Sequence, residues 1–294
     1  MTGRADRAVV VVRAGALTTV QDLGRFGYAH LGVPRSGALD PSAARLVNRL
    51  VGNPEAAAVL ETTVDGCALR TRCAVTVAVG GAPCPVRVGG RPAAWGRAVR
   101  VPAGSVLEVG AATHGLRAYV ALGGGVDVEP VLGSRSTDLL SGLGPAPLAE
   151  ERVLPLGPAP AARTAGRGAA DAPPWPAPPR ELVLRVRLGP REDWFTAAAL
   201  HTLATRAYRV SPTGNRIGLR LDGPALERAR HDEPASEGMV LGAVQVPPDG
   251  RPVVFLADHP TTGGYPVVGV VREADLGAAA QAAPGTPVRF VRVR

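Results

Sequence analysis

Between two apolar runs, Pro252–Ala257 and Val267–Val271, lies the stretch Asp258-His-Pro-Thr-Thr-Gly-Gly-Tyr265. A hairpin turn needs two to five residues of turn type, and this stretch carries far more chemistry than that. Asp258 at a strand end has the placement of a base or of a partner for a metal-bound phosphate. Thr261 and Thr262 can donate to oxygens. Gly263 and Gly264 let the backbone approach a ligand and offer N–H groups to an anion, with Tyr265 beside them. The spacing predicts that Asp258 is exposed to the site it serves.

Three other stretches combine polar side chains with apolar surroundings. Residues 18–40 form a Gly-rich loop carrying Gln21, Asp22, Arg25, Arg35, Ser36 and Asp40. Within it Asp22 and Arg25 are able simply to pair, and Asp40 also suits a helix cap. "LGSRSTD", Leu132 to Asp138, sets Arg135 among hydroxyls, a candidate anion cradle that a solvated turn would also resemble. In "SEGMVLGAVQVPPDG", Ser236, Glu237 and Gln245 flank an apolar strand, and Gln245 within "GAVQVP" needs a partner or a ligand because a buried amide without one is costly.

The elements that must position these residues are short strands. Apolar segments such as Ala8–Arg13, Leu116–Leu122, Leu182–Leu188, Val240–Val246 and Val288–Val293 alternate with Gly-Gly, Pro-Ala-Gly and Pro-Asp-Gly turns. That pattern predicts a mainly β chain of the barrel or sandwich type with a few short helices. One helix is expected after Asp40, with Pro41 at its first position and Gly52-Asn53-Pro54 as its stop. A second is expected over Pro54–Glu61 and a third over about Pro190–Thr205. The composition shift to Pro, Ala and Gly after residue 144 predicts two domains, 1–150 and 181–294, joined by a connection over 151–180.

Composition removes several function classes. The chain has 294 residues, a formal net charge of +8 and no lysine, all 33 basic residues being arginine. A P-loop lysine, a Schiff-base lysine and a biotinylated lysine are therefore excluded on this chain. Aromatics are 4% and no basic run or nucleic-acid motif occurs, which argues against nucleic acid as a partner. The apolar runs are far shorter than a membrane span, and the first residues lack a signal-peptide core, so a cytoplasmic chain is expected. Cys67, Cys73 and Cys84 have no metal-ligand spacing and read as small buried hydrophobes. No metal site is expected.

Seven phrases in this order, "TTVQDLGRFGYAHLGVPRSGALD", "VNRLVGNPEAAAVLETT", "YVALGGGVDVEPVLGSRST", "NRIGLRLDG", "SEGMVLGAVQVPPDG", "ADHPTTGGYPVVGVV" and "AAQAAPGTPVRF", resemble the family of the 5-oxoprolinase C subunit, also called allophanate hydrolase subunit 2 or the biotin-dependent carboxyltransferase family. The resemblance covers nearly the whole chain apart from the connection. It implies two cyclophilin-like β-barrel domains and partners similar to the B and A subunits of 5-oxoprolinase. The implied reaction is ATP-dependent opening of 5-oxoproline, a lactam, to glutamate, with ATP and Mg bound together with the partner. Alternatives within the resemblance are a carboxyltransferase subunit of a biotin-dependent urea or amide carboxylase, with biotin on another protein, and a non-catalytic regulator of a kinase inhibitor. Matching positions divide into candidate catalytic residues, Asp258, Gln245 and Glu237, and candidate substrate contacts, Gln21, Asp22, Arg25, Asp40, Arg135, Ser236, Thr261, Thr262, Gly263, Gly264 and Tyr265. The segment after "GSRST" is shorter than the family pattern and lacks its Gly-Arg and Gly-Asp.

Overall fold

A computed structural model describes residues 7–160, 175–230 and 232–294. These divide into two compact units: one of residues up to Arg25, Asp40–Thr137 and Gly142–Pro178, the other of Phe26–Leu39, Asp138–Ser141 and Pro179–Arg294. Two short segments from the first half of the sequence therefore belong to the second unit. Nothing local in their composition announces that.

In the first unit the strands form two antiparallel sheets. One runs Val153–Pro155, Ala8–Arg13, Cys67–Thr71, Val106–Val109, Val86–Val88, Arg91–Ala93; the other runs Leu17–Gln21, Val59–Thr63, Arg117–Leu122, Val75–Gly81, Ala98–Val101. Alternation explains their shared core: Val9, Val11, Leu60, Leu69, Val77, Val79, Val120 and Leu122 point into one apolar cluster. Cys67 and Cys84 are members of it, and burial pushes their thiols up to about 12 and about 11, which suits packing rather than nucleophilic work. The strand Val153–Pro155 lies inside the stretch expected as a connection, and it pairs with Ala8–Val10. Farther along that stretch, Trp175 packs where a Cβ on Gly80 would lie 2.0 Å from its ring, so only glycine fits there. Residues 161–174 of the expected connection lie outside the described residues.

The second unit holds a closed seven-stranded barrel in the order Leu182–Leu188, Val267–Val271, Ala243–Gln245, Val253–Phe255, Gly218–Asp222, Tyr208–Val210, Pro287–Arg292. The first and last strands close it in parallel, Leu184 opposite Phe290, and every other pairing is antiparallel. Closure leaves no unpaired edge in the ring. Its interior is filled by Leu182, Leu184, Val186, Leu219, Leu221, Val244, Val254, Val268 and Phe290. The mainly β expectation holds.

Helix α1, Pro41–Val51, forms as its sequence dictates. The Asp40 side chain accepts from Ala43 N at 3.1 Å, Pro41 opens the first turn, and Gly52 closes it at φ 81°. Two expectations about helices need correction. Pro54–Glu61 is a turn followed by the strand Val59–Thr63: Asn48 donates its side-chain amide to the carbonyls of Glu55 and Ala57, and the β-branched run pairs on both sides. The third expected helix begins as a 3-10 turn, Glu192–Trp194, and is helical as α2 only over Ala197–Thr205, capped by Thr196. A helix the sequence reading missed, α3 (Glu273–Gln281), buries Leu276, Ala279 and Ala280. Its short, Ala-rich surface carries little amphipathic contrast. No helix among the described residues is long and apolar enough to cross a membrane.

Candidate functional site

Within the first unit, Asp22 organises the loop that carries Arg135. Its carboxylate accepts from Ser134 Oγ and Ser136 Oγ at 2.6 Å, from Arg135 N at 2.6 Å and from Gly24 N at 2.8 Å. Gln21, fully buried, donates its amide to Thr137 O and Thr19 Oγ1, both at 3.0 Å. Buried Arg25 donates to the carbonyls of Val131 and Ser136. These three residues hold the Leu132–Asp138 loop against the strand Leu17–Gln21 through backbone groups and serine hydroxyls. Arg135 departs from the anion-cradle expectation: its guanidinium donates to Val128 O at 2.7 Å and to Asp127 at 2.8 Å. Asp40 is a cap, and its own N–H is held by Tyr119 Oη at 2.8 Å. Tyr119 in turn donates to Glu61 at 2.9 Å, and burial followed by the neighbouring carboxylates holds its phenol well above the ordinary range.

One consequence is a stability effect. Asp22→Ala removes one acceptor from four donors, and hydrogen bonds to a charged group are each worth roughly 1.5–3 kcal/mol when buried. Because Asp22 is half-buried, a net loss of about 2–4 kcal/mol is expected in denaturant unfolding, with Asp22→Asn intermediate. A change below about 0.5 kcal/mol, as for an ordinary surface residue, would show that the loop does not depend on it.

In the second unit, Asp258 lies at the centre of a buried network. Arg216 grips it with Nε–Oδ2 2.9 Å and Nη2–Oδ1 3.0 Å, both side chains at most 1% exposed. Ser36 Oγ donates to it at 2.8 Å and Leu139 N at 3.4 Å, while Arg216 also donates to Gly37 O. The expected exposure of Asp258 does not hold: four donors from three separate chain segments enclose it. Ser36 sits at φ 54°, a left-handed backbone that a non-glycine residue adopts only where its surroundings hold it. Next to this network His259 stacks on Phe255, and burial lowers its ring below the ordinary imidazole range.

The remaining residues gather on the outer face of the barrel. Ala243, Val253, Phe255 and Val267, with Met239, form an apolar cluster separate from the interior. A two-stranded ribbon, Glu237–Gly238 paired with Thr262–Gly263, lies on it. Gln245 is beneath the ribbon and donates to Tyr265 O at 3.1 Å, which is the partner its burial demanded. The space at Gly263 is taken by the protein itself: a Cβ there would come 2.7 Å from Gln245 Nε2 and 3.3 Å from Met239. The glycine serves the ribbon's close approach to Gln245. A Cβ at Gly264 would meet Pro234 O at 3.9 Å.

What the ribbon turns outward is polar. Ser236, Thr262 and Tyr265 are exposed, Thr261 half-buried, and Glu237 accepts from Arg191 at 2.8 and 3.1 Å with its other oxygen buried and unbonded. Arg191, which sequence reasoning did not single out, leaves 42% of its side chain exposed. Ser236, Glu237, Thr261, Thr262, Tyr265 and Arg191 thus form one hydroxyl-rich surface with a cation and a carboxylate. Gln245 supports this face from below, while Asp258 is buried in its own network with Arg216, Ser36 and Leu139. Arg216, Glu61 and Tyr119 were also missed; their partners lie dozens of residues away, so no local spacing marks them.

Comparison with known proteins adds identity to this geometry. The carboxyltransferase domain, subdomain A and B, matches residues 31–292. The C subunit of 5-oxoprolinase from Escherichia coli is 36% identical over 289 residues, covering 96% of this chain and 90% of that protein. Urea amidolyase of Lachancea kluyveri is 33% identical over 97% of this chain, which amounts to 17% of the fungal protein. Among solved structures, TTHA0988 superposes with a TM-score of 0.88 at 36% identity, over 99% of this chain and 57% of that one. The K. lactis urea amidolyase gives 0.90 at 32% identity, over 98% of this chain and 19% of its own. The chain thus spans about half the length of TTHA0988 and a smaller part of the urea amidolyases. With matches across nearly its whole described length, the chain belongs to the carboxyltransferase family that includes the 5-oxoprolinase C subunit.

Proposed function

We propose that this chain is the C subunit of an ATP-dependent 5-oxoprolinase, converting 5-oxoproline, ATP and water to glutamate, ADP and phosphate together with proteins like the B and A subunits. The observation that carries this reading is the likeness to the E. coli protein, 36% identical over 96% of this chain. We place the complex in the cytoplasm.

The donor set does not fit ATP with Mg on this chain. The described residues gather no cluster of His, Cys, Asp and Glu suited to a metal ion, lysine is absent, and Asp258 is committed to Arg216. ATP and its Mg therefore belong, in this reading, with the partner, and no step is routed through them here. The work left to this chain is binding and orientation. The hydroxyls of Ser236, Thr261, Thr262 and Tyr265 suit a lactam carbonyl or ring N–H, and the half-exposed Arg191 suits the carboxylate of 5-oxoproline. Glu237 keeps Arg191 in place and is the one candidate catalytic carboxylate that retains surface. Asp258 and Gln245 act as positioning residues.

A second reading, transfer of a carboxyl group from biotin to urea or a similar amide, is favoured by the family's description and by the urea amidolyase relatives. Biotin would then arrive on another protein, because this chain has no lysine to carry it. Product analysis separates the two. The assembled complex is expected to release glutamate from 5-oxoproline and to leave urea untouched in the presence of a carboxybiotin carrier. Carboxylation of urea with no glutamate from 5-oxoproline would transfer the assignment to the second reading.

A further inference from the structure

The two strands that close the barrel in parallel, Leu182–Leu188 and Pro287–Arg292, run out at the same end of the ring. Leu182, Leu184 and Val186 point inward on one, Val288 and Phe290 on the other. The period of two carries each inward series one residue further, to Leu188 and to Arg292. An arginine thus ends a series that is otherwise apolar. Its backbone is held, because Arg292 stands opposite Val186 and the N–H of Val293 donates to Val186 O at 2.9 Å. Helix α2 lies over this mouth, with Leu203 in the interior cluster and Leu200 packed against it. Between helix and strands is a cavity of about 370 Å³, walled by Val186, Leu188, Leu200 and Leu203, with Arg292 and His201 as its polar side chains. No acidic residue lines it. The Arg292 side chain is exposed, and its guanidinium makes no hydrogen bond or ion pair among the described residues.

The mouth of a barrel is a usual place for a small-molecule site, and such sites span about 300–1,000 Å³ with an apolar lining and a few polar groups. Here the lining selects the ligand. A guanidinium with its fork unused takes a carboxylate in two parallel hydrogen bonds and repels a cation. The aliphatic wall gains nothing from a bare inorganic anion, whereas a hydrocarbon body covers it and expels its water. We infer that the mouth of the second unit's barrel binds a small monocarboxylate with an aliphatic body, its tail against Val186, Leu188 and Leu200 and its carboxylate on Arg292, with the His201 ring beside it. None of these residues belongs to the ribbon or to its hydroxyl-rich face, so the site is separate from the one assigned to 5-oxoproline. That lactam suits this cavity poorly, since its ring amide would lie against aliphatic side chains without a partner.

The test titrates hexanoate into the full chain and follows methyl NMR signals, with hexanol and hexylammonium as the uncharged and oppositely charged comparisons. Saturable hexanoate binding that moves the Leu188 and Leu200 methyls is expected, with hexanol and hexylammonium weaker by about 10-fold or more. Arg292→Gln should weaken hexanoate by about 10-fold or more through loss of the charged fork. Ala204→Phe, which fills the cavity from an exposed position on α2, should weaken it to a similar degree. Both positions are exposed, so melting stays at the wild-type level. Arg289→Gln, on the same strand but paired with Glu181 on its other face, should leave hexanoate binding unchanged. Absence of saturable binding, or hexanoate binding indifferent to Arg292→Gln and Ala204→Phe, would overturn the site. Equal binding of hexanol or hexylammonium would overturn the carboxylate. Displacement of hexanoate by 5-oxoproline at equal concentration would give the mouth to a polar lactam and overturn the aliphatic class.

Discussion

Asp258→Ala is expected to destabilise the second unit by about 3–5 kcal/mol, enough to leave much of the protein unfolded or insoluble. The reason is the guanidinium it leaves behind. Arg216 is 1% exposed and makes two bonds to Asp258, so removing the carboxylate strands a buried charge. Ser36 and Leu139 lose their acceptor at the same time, releasing both segments that the carboxylate ties down. Arg216→Met should be similarly damaging through the reverse exposure of a buried carboxylate. The double variant Asp258→Leu/Arg216→Met removes both charges and should recover most of the loss, although Gly37 O also loses its donor. Denaturant unfolding of the four proteins checks this. An Asp258→Ala protein as stable as wild type would mean that the network is not what fixes these segments.

That variant also shows where a reading of sequence stops. Many of the strands and α1 with its Asp40 cap and its Gly52 stop were legible, because hydrophobic alternation and turn chemistry are local signals; the strands Val59–Thr63 and Val153–Pro155 and the ribbon Glu237–Gly238/Thr262–Gly263 were not. The polar character of the Asp258–Tyr265 stretch was legible too, but not how its residues divide the work. Whether Asp258 faces solvent depends on Arg216, 42 residues earlier, and on Ser36, 222 residues earlier. That Gly263 packs against the Gln245 side chain was not legible, because that side chain comes from another strand. α3 escaped because an Ala-rich helix on a barrel buries small residues without a strong apolar stripe. For Asp258 the missing information was a long-range contact, which a pattern within one stretch does not carry.

The second large effect is on turnover. This chain alone should hydrolyse no ATP, because the ribbon's face supplies hydroxyls, an arginine and one carboxylate, and the described residues hold neither a lysine nor a cluster of metal ligands for a triphosphate. Electrostatic stabilisation of a transferring phosphoryl group is the larger part of such catalysis, and under the proposed function that part would come from the partner. The B-like protein alone should lack the surface that orients the lactam. Under the proposed function the two sets of groups would make a working site only together, so the increase on mixing should be far more than additive. Measuring ADP release in the presence of 5-oxoproline for each purified chain, for the mixture, and for the mixture with the A-like protein therefore tests the account most directly. The expected result is background rates for each chain alone, 5-oxoproline-dependent ADP release on mixing, and glutamate in equal amount once the third protein is added; ADP release by this chain by itself, or a tight complex inert toward 5-oxoproline, would contradict it.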